Sequence, residues 1–414
     1  MTADCADPEP DGPLANLRVL DLAGEIGVFC GRLLAELGAD VVRVEPPGGD
    51  AVRRRGPFLD GEPGVERSLY HQHFNVNKRG VTLDLEREEG RALLRALAAH
   101  ADVVVESWTP GDADARDIGY EALRAQHPAL VYTTITPFGR EGPMRRYRGR
   151  DLTGVASSGL MALNGFPEDP PTMPGSEQGY HMASLVAASA TLIAIVGRDL
   201  DPERRGRRVD VSMQEAASMP TLQHASANFY TWLRQVPARR GLSGLRGGRA
   251  YFRCGDGRWV SFVVPPYRWE EFLAWLRDER IECELFGEEW RNRAYRVQRG
   301  DRLAEVIETL VQRYPRDHIF HEGQRRRLLV TSTNTVADLV DDPQLAARDY
   351  FVSLEHEALG RTLRDGGVAF ALSRTPARVW RRAPLLGEHN REVYGGLLGK
   401  SEGEIASMRK AGVI

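Results

Sequence analysis

The first strong pattern in the chain is LRVLDL at 17–22, a short β-rich apolar run. FCGRLLAELGA at 29–39 follows with apolar residues at helical spacing and a glycine suited to a helix stop. DVVRVE at 40–45 reads as a second strand, which completes a βαβ unit. The alternation continues. VTLDL (81–85) predicts a strand, GRALLRALAAH (90–100) a helix, ADVVVESW (101–108) a strand, YEALRAQHPA (120–129) a helix and LVYTTITPFG (130–139) a strand. Strands alternating with helices imply an α/β fold with a mostly parallel, Rossmann-like sheet covered on both faces.

The texture changes after residue 140. MRRYRGRDLTGVASSGLMALNG (144–165) is rich in arginine, glycine and small residues. YHMASLVAASATLIAIVGR (180–198) predicts one long apolar helix whose alanines and serines suit close packing, and 207–233 reads as a strand followed by a helix. AYFRCGDGRWVSFVV (250–264) predicts a hairpin about Gly255-Asp256-Gly257. RWEEFLAWLRD (268–278) and RLAEVIETLVQRY (302–314) predict amphipathic helices. The resulting division is a disordered lead at 1–14, a large α/β domain at 15–224, a smaller α+β domain at 225–330 and a C-terminal segment at 331–414, which carries no strong fold signal of its own.

Composition narrows the function classes. The 414 residues are 42% hydrophobic and 27% charged, with a formal net charge of -3. A nucleic-acid binder more often shows a basic excess, so no nucleic-acid partner is expected. The four cysteines form no CxxC pair, and there is no HExxH, so neither a disulfide framework nor a metal site is expected. No run of about 18 consecutive apolar residues appears, so no membrane partner is expected. The acidic opening MTADCADPEPDGP lacks the apolar stretch of a secretory signal, and the expected compartment is the cytoplasm.

Motifs exclude more than they assign. The turn AGEIGVFCG after the first strand, with Glu45 about 20 residues on, resembles a dinucleotide site, but it lacks the GxGxxG spacing. An NAD-dependent oxidoreductase is therefore a distant alternative. Neither GxSxG nor GxxxxGK[ST] occurs.

Several stretches, in order along nearly the whole chain, carry a resemblance. They are LRVLDLAGEIGVFCGRLLAELGADVVRVEPPGGD, NVNKRGVTLDLEREEGRALLRALAAHADVVVESWTPG, GRRVDVSMQEA, ADLVDDPQLAARDYF and APLLGEHN. Together they resemble the class III CoA-transferases, the family of formyl-CoA transferase and carnitine CoA-transferase, which also contains the α-methylacyl-CoA racemases. The resemblance implies an interlocked dimer, with the C-terminal segment completing the large domain and the small domain inserted. It implies a reaction that moves CoA from an acyl-CoA thioester to a carboxylic acid. Coenzyme A enters as a substrate thioester, and no covalently bound cofactor is expected. An aspartate attacks the thioester to give a mixed anhydride, and released CoA converts this to an enzyme thioester. Covalent catalysis thus splits one difficult step into easier ones.

The same resemblance exposes a departure. The family pattern places the nucleophilic Asp five residues after a glycine. Gly175 fits, but the Asp position holds Tyr180. A phenol has an ordinary pKa near 10 and is a poor nucleophile at neutral pH. The racemase pattern fails too, because its His position is Arg150. Glu177 is the nearest carboxylate. With Ser176 as N-cap, Glu177, Tyr180 and His181 share one helix face. Asp151 in GRDL is a second candidate, against a plain ion-pair role. By resemblance the CoA side comprises Gly24, Glu25, Ile26, Asn77, Lys78, Arg116 and Arg148, and the Gly247-Gly248 loop covers the acyl site. The arginine runs at 145–150 and 204–208 suit phosphates or an acidic substrate as well as a solvated charged face. Trp108, Tyr180, Phe229 and Tyr230 suit an acyl pocket as well as a core.

Three readings stay open. The chain is the subunit lacking the nucleophilic Asp in a heterodimer with an Asp-bearing paralogue, a self-sufficient homodimeric transferase using Glu177, or a non-catalytic CoA-ester binding protein.

Overall fold

The structure, a computed structural model, describes residues 12–220, 227–236, 239, 241–242 and 249–414. The chain divides into two compact units. One comprises Met1–Met161, Met173–Pro237 and Asp349–Ile414, and the other Ala162–Thr172 and Ala238–Arg348.

The first unit is built on six strands: β1 (Arg18–Leu22), β2 (Asp40–Glu45), β3 (Arg79–Thr82), β4 (Val103–Glu106), β5 (Val131–Thr136) and β6 (Arg208–Ser212). They form one parallel sheet in the order β3-β2-β1-β4-β5-β6. Every residue of β4 and β5 is buried, as a strand covered on both faces requires. Alternate side chains feed two cores. Val19, Val41, Val103, Val105 and Ile135 pack with helices Val28–Glu36 and Gln178–Leu200. Leu20, Val42, Val81, Val104 and Tyr132 pack on the other face with Leu94 and Leu97 of helix Glu88–Ala98.

Helix Gln178–Leu200 is long and apolar enough to cross a membrane by length and composition alone. In the fold, its Ala183, Ala187, Ala194 and Ile195 are buried in the first core, and Thr191 Oγ1 meets Thr133 Oγ1 of β5 at 2.7 Å. Small residues on that face let the helix lie close to the sheet. Its opposite face leaves Leu185, Ile193, Val196 and Leu200 exposed.

Residues 349–414 belong to the first unit, and their anchoring explains why they gave no periodic signal. They carry the hairpin β10 (Phe351–His356) and β11 (Arg361–Gly366). Beyond it, the chain is tied to the β3 edge by polar groups. Asn77, at φ +64°, donates from Nδ2 to Arg378 O at 2.7 Å, and its Oδ1 accepts from Trp380 N and Arg381 N. Gly80 N donates to His389 Nδ1 and Thr82 N to Asn390 Oδ1. Val393, Tyr394, Ile405, Val413 and Ile414 then close the second core.

In the second unit β7 (Tyr251–Arg253), β8 (Trp259–Val263) and β9 (Leu329–Ser332) pair antiparallel. The expected turn is present: Gly257 lies at φ +81° and Arg258 N donates to Asp256 Oδ1. Phe252, Phe262, Trp275 and Leu310 fill its core. The boundary expected at 330 falls at 348. The reason is that β9 pairs with β8, and Asp338 then ties helix Val336–Val340 to Arg258 and Arg316. The boundary expected at 224 likewise moves, to 237.

Candidate active site

In an open parallel sheet, ligands bind beyond the carboxyl ends of the strands where the strand order reverses, here between β1 and β4. The turn after β1 carries Gly24, Glu25 and Ile26, and the turn after β4 carries Ser107 and Trp108. The two are joined directly, because Gly24 N donates to Ser107 Oγ at 2.7 Å. Ile26 is buried and its carbonyl accepts from Ser184 Oγ. Glu25 faces outward to two cations, Arg55 at 3.3 Å and Arg150 at 3.8 Å.

Tyr180 is the third residue of helix Gln178–Leu200 and is 5% exposed. Its backbone N–H donates to Asp151 Oδ1 at 2.9 Å. Gly179 permits that approach, since a Cβ there would sit 2.9 Å from the same oxygen. Burial, with Glu25 adding negative charge, pushes the Tyr180 phenol above its ordinary range. The side chain therefore stays protonated at neutral pH. Asp151 is 5% exposed and its Oδ2 has no hydrogen-bond partner. Burial raises its pKa against the opposing N–H groups of Tyr180 and Gly179. The plain ion pair weighed for Asp151 is not what holds it. His181 packs edge-on against Phe29 and at a tilt against Phe74, and burial lowers its pKa.

Glu177 differs from the sequence expectation. The N-cap is Glu177 itself, not Ser176, which takes a left-handed φ of +62°. The Glu177 carboxylate pairs with Arg55 Nη2. Arg55 also lies over the Tyr70 ring, 4.3 Å from its centroid. Sequence reasoning missed Arg55 and Tyr70. The arginine sits in the run VRRRGPF, where nothing local separates it from its neighbours.

Two residues expected on the CoA side are committed elsewhere. Asn77 spends its amide on the C-terminal segment, as described above. Lys78 is fully buried, with Nζ on Asp21 Oδ2 at 2.8 Å, Val28 O at 2.9 Å and Asn75 Oδ1 at 3.0 Å. Gly31 makes room for that pair, since a Cβ would lie 2.4 Å from Asp21 Oδ2. Neither side chain has a polar atom left for a phosphate. Arg116 pairs with Glu86 at 2.8 Å. Arg148, with Arg145 and Arg146, is exposed and makes no ion pair among the described residues. Arg204 and Arg205 pair with Asp199 and Asp201, as a solvated charged face does. Glu45, the ribose acid of the dinucleotide alternative, is 1% exposed and gripped by Arg53. Trp108 borders the second core and Tyr230 is half exposed. Gly247, Gly248 and the Phe229 side chain lie outside the described residues. Among the described residues no cluster of three His, Cys, Asp or Glu forms a metal-binding group.

A further acid emerges at the end of β4. Glu106 is 1% exposed, accepts from Trp108 N at 2.6 Å and Thr134 Oγ1 at 2.8 Å, and has its pKa pushed up to about 7, chiefly by burial. The folded protein thus holds a proton that the unfolded chain releases near pH 4.5. Its stabilising contribution is full below about pH 4.5 and lost as pH rises through about 7. Glu106→Gln should flatten the pH dependence of stability. Urea unfolding from pH 5 to 8 should show a decline about 2.5 kcal/mol smaller than in the unaltered chain.

The family model of CoA-transferase family III matches residues 14–390. The chain is 35% identical over 387 residues to succinyl-CoA:(R)-benzylsuccinate CoA-transferase subunit BbsE of Thauera aromatica, covering 92% of this chain and 93% of that one. It is 31% identical over 408 residues to the succinyl-CoA–L-malate CoA-transferase alpha subunit of Chloroflexus aurantiacus, covering 97% and 92%. Among solved structures, a CAIB/BAIF family protein from Brucella suis superposes with a TM-score of 0.82 at 27% identity, covering 94% of this chain and 100% of that one.

Proposed function

The chain belongs to CoA-transferase family III, and from that premise we propose that it works as the subunit without a nucleophile in a heteromeric, cytoplasmic transferase. The transferase moves CoA from succinyl-CoA to a dicarboxylic acid, and an aspartate-bearing paralogue supplies the attacking carboxylate. The observation that carries this is Tyr180. At the position where the family pattern places the aspartate stands a buried phenol whose pKa is pushed up, not down. A covalent catalyst needs its nucleophile activated by an adjacent base or a lowered pKa. Burial and Glu25 do the opposite here.

The names of the relatives support the reading, since two are subunits of transferases that use succinyl-CoA. So does the exposed apolar stripe of helix Gln178–Leu200, because apolar patches of this kind mark protein contacts. The Glu177 pathway is disfavoured by its ion pair with Arg55, which ties up the carboxylate.

The test is peptide mass spectrometry after succinyl-CoA and hydroxylamine, with the chain alone and with the product of the neighbouring paralogous gene. The expected hydroxamate appears only on the partner's aspartate. A hydroxamate on Glu177 in the pure chain overturns the reading, and no adduct with any partner reduces the chain to CoA-ester binding.

A further inference from the structure

Glu106 stands where the strand order reverses, and its two oxygens serve two elements. Oε2 accepts the Trp108 N–H at 2.6 Å, which fixes the turn after β4. Oε1 accepts the Thr134 hydroxyl at 2.8 Å, which ties that turn to β5. Between Glu106 and Trp108 lies Ser107, whose Oγ accepts the Gly24 N–H of the turn after β1 at 2.7 Å. A single buried carboxyl thus braces the β4 turn directly and the β1 turn through Ser107.

The groups facing Glu106 decide where its proton goes. Arg140, from the segment after β5, places Nη1 3.9 Å from Oε1. Its Nη2 is held by Asp114 of helix Asp112–Ala115 at 2.8 Å, and its backbone N–H by Asp210 of β6 at 3.0 Å. Tyr132 of β5 faces the acid as a phenol that burial keeps protonated. Of the two hydrogen-bond partners, the Trp108 N–H only donates, whereas a hydroxyl both donates and accepts. A neutral Glu106 therefore gives its proton to Thr134 Oγ1. An ionised Glu106 accepts from both partners and puts a full negative charge behind the two turns. Both forms are accessible near neutral pH, because burial sets the acid's titration at about 7.

We infer that Glu106 is a positioning residue for coenzyme A, shaping the turn after β1 through Ser107, and that CoA binds more tightly when this carboxyl is neutral. The inference rests on the reading of the chain as a CoA-transferase subunit with Gly24, Glu25 and Ile26 on its CoA side. Its direction follows from charge. CoA brings anionic phosphates, and a buried carboxylate behind the turn opposes them in a medium that screens less than water. An anionic ligand accordingly favours the protonated acid, and CoA affinity falls as Glu106 ionises.

The experiment is calorimetric titration of coenzyme A into the full chain between about pH 6 and 8, repeated with Glu106→Gln and Glu106→Ala. Glutamine offers a carbonyl to the Trp108 N–H and an amide N–H to Thr134 Oγ1, so it copies the neutral acid. Over that range the unaltered chain should lose about threefold more affinity than Glu106→Gln. Titration of the CoA phosphate is common to both proteins and cancels in the comparison. At the acid end Glu106→Ala should bind CoA about tenfold more weakly than Glu106→Gln, since the Trp108 N–H loses its acceptor. Hydrogen exchange in the same Ala variant should quicken at residues 23–27, the turn that Ser107 holds. Equal pH profiles for the unaltered chain and Glu106→Gln overturn the inference alone, as does equal affinity in the Gln and Ala variants. No binding by the unaltered chain at any pH overturns the assignment of the CoA side and the inference with it. The Gln variant carries the test if the Ala variant does not fold.

Discussion

In the proposed heteromeric transferase, once reconstituted, changing the aspartate assigned to the partner to asparagine should lower kcat by at least about a thousandfold, since removing a covalent nucleophile usually costs that much or more. Tyr180→Phe in this chain should leave kcat within about threefold. The asymmetry follows from what each atom does. In the proposed pairing, the partner's carboxylate forms a bond to the acyl carbon. The Tyr180 hydroxyl is kept protonated by burial, and the hydrogen bond that ties the residue to Asp151 comes from its backbone N–H, which phenylalanine retains. Steady-state assays of the two single variants in the same complex decide it. A large loss for Tyr180→Phe would put the phenol in the chemistry and sink the division of labour.

The second large effect is on stability. Asp21 is fully buried and holds Lys78 at 2.8 Å, Arg43 at 3.1 Å and the Ala23 N–H at 3.0 Å. Arg43 has a further partner in Asp50, but Lys78 pairs with no other acid among the described residues. Burial already lowers the Lys78 pKa, with Asp21 opposing. Asp21→Leu should therefore strand a buried ammonium and cost about 3–5 kcal/mol. Asp21→Leu with Lys78→Met should cost less than the two single changes added, because no unpaired charge remains between them. Guanidinium unfolding followed by circular dichroism measures this. CoA affinity measured on the same variants separates the CoA-side role that the resemblance gives Lys78 from the buried pair seen in the structure. A phosphate-binding lysine would lose affinity with stability intact, whereas the buried pair predicts the reverse.

These residues also show where the sequence was readable. Strands β1, β2, β4 and β5 were legible because buried parallel strands read as largely apolar runs, and the helix read at 180–198 because apolar and small residues dominate it. The strap at 378–390 was not, since it is held by Asn77, His389 and Asn390 through backbone contacts that leave no periodicity. At the candidate site, Tyr180 was legible only through the family pattern. Arg55 and Glu177 were not legible as a pair, because they lie far apart in sequence and charge pairing has no local spacing. Lys78 was placed on the CoA side by resemblance, because sequence does not report that a lysine has no exposure.

The closing of the second core by Val413 and Ile414 bears on how the chain comes off the ribosome. The sheet-bearing unit has its helices and first strands synthesised early, yet one face has only part of its cover until residues 393–414 have been made. The intervening segment 238–348 carries its own core and is complete sooner. Vectorial synthesis thus leaves the earlier-made sheet waiting on the later-made end.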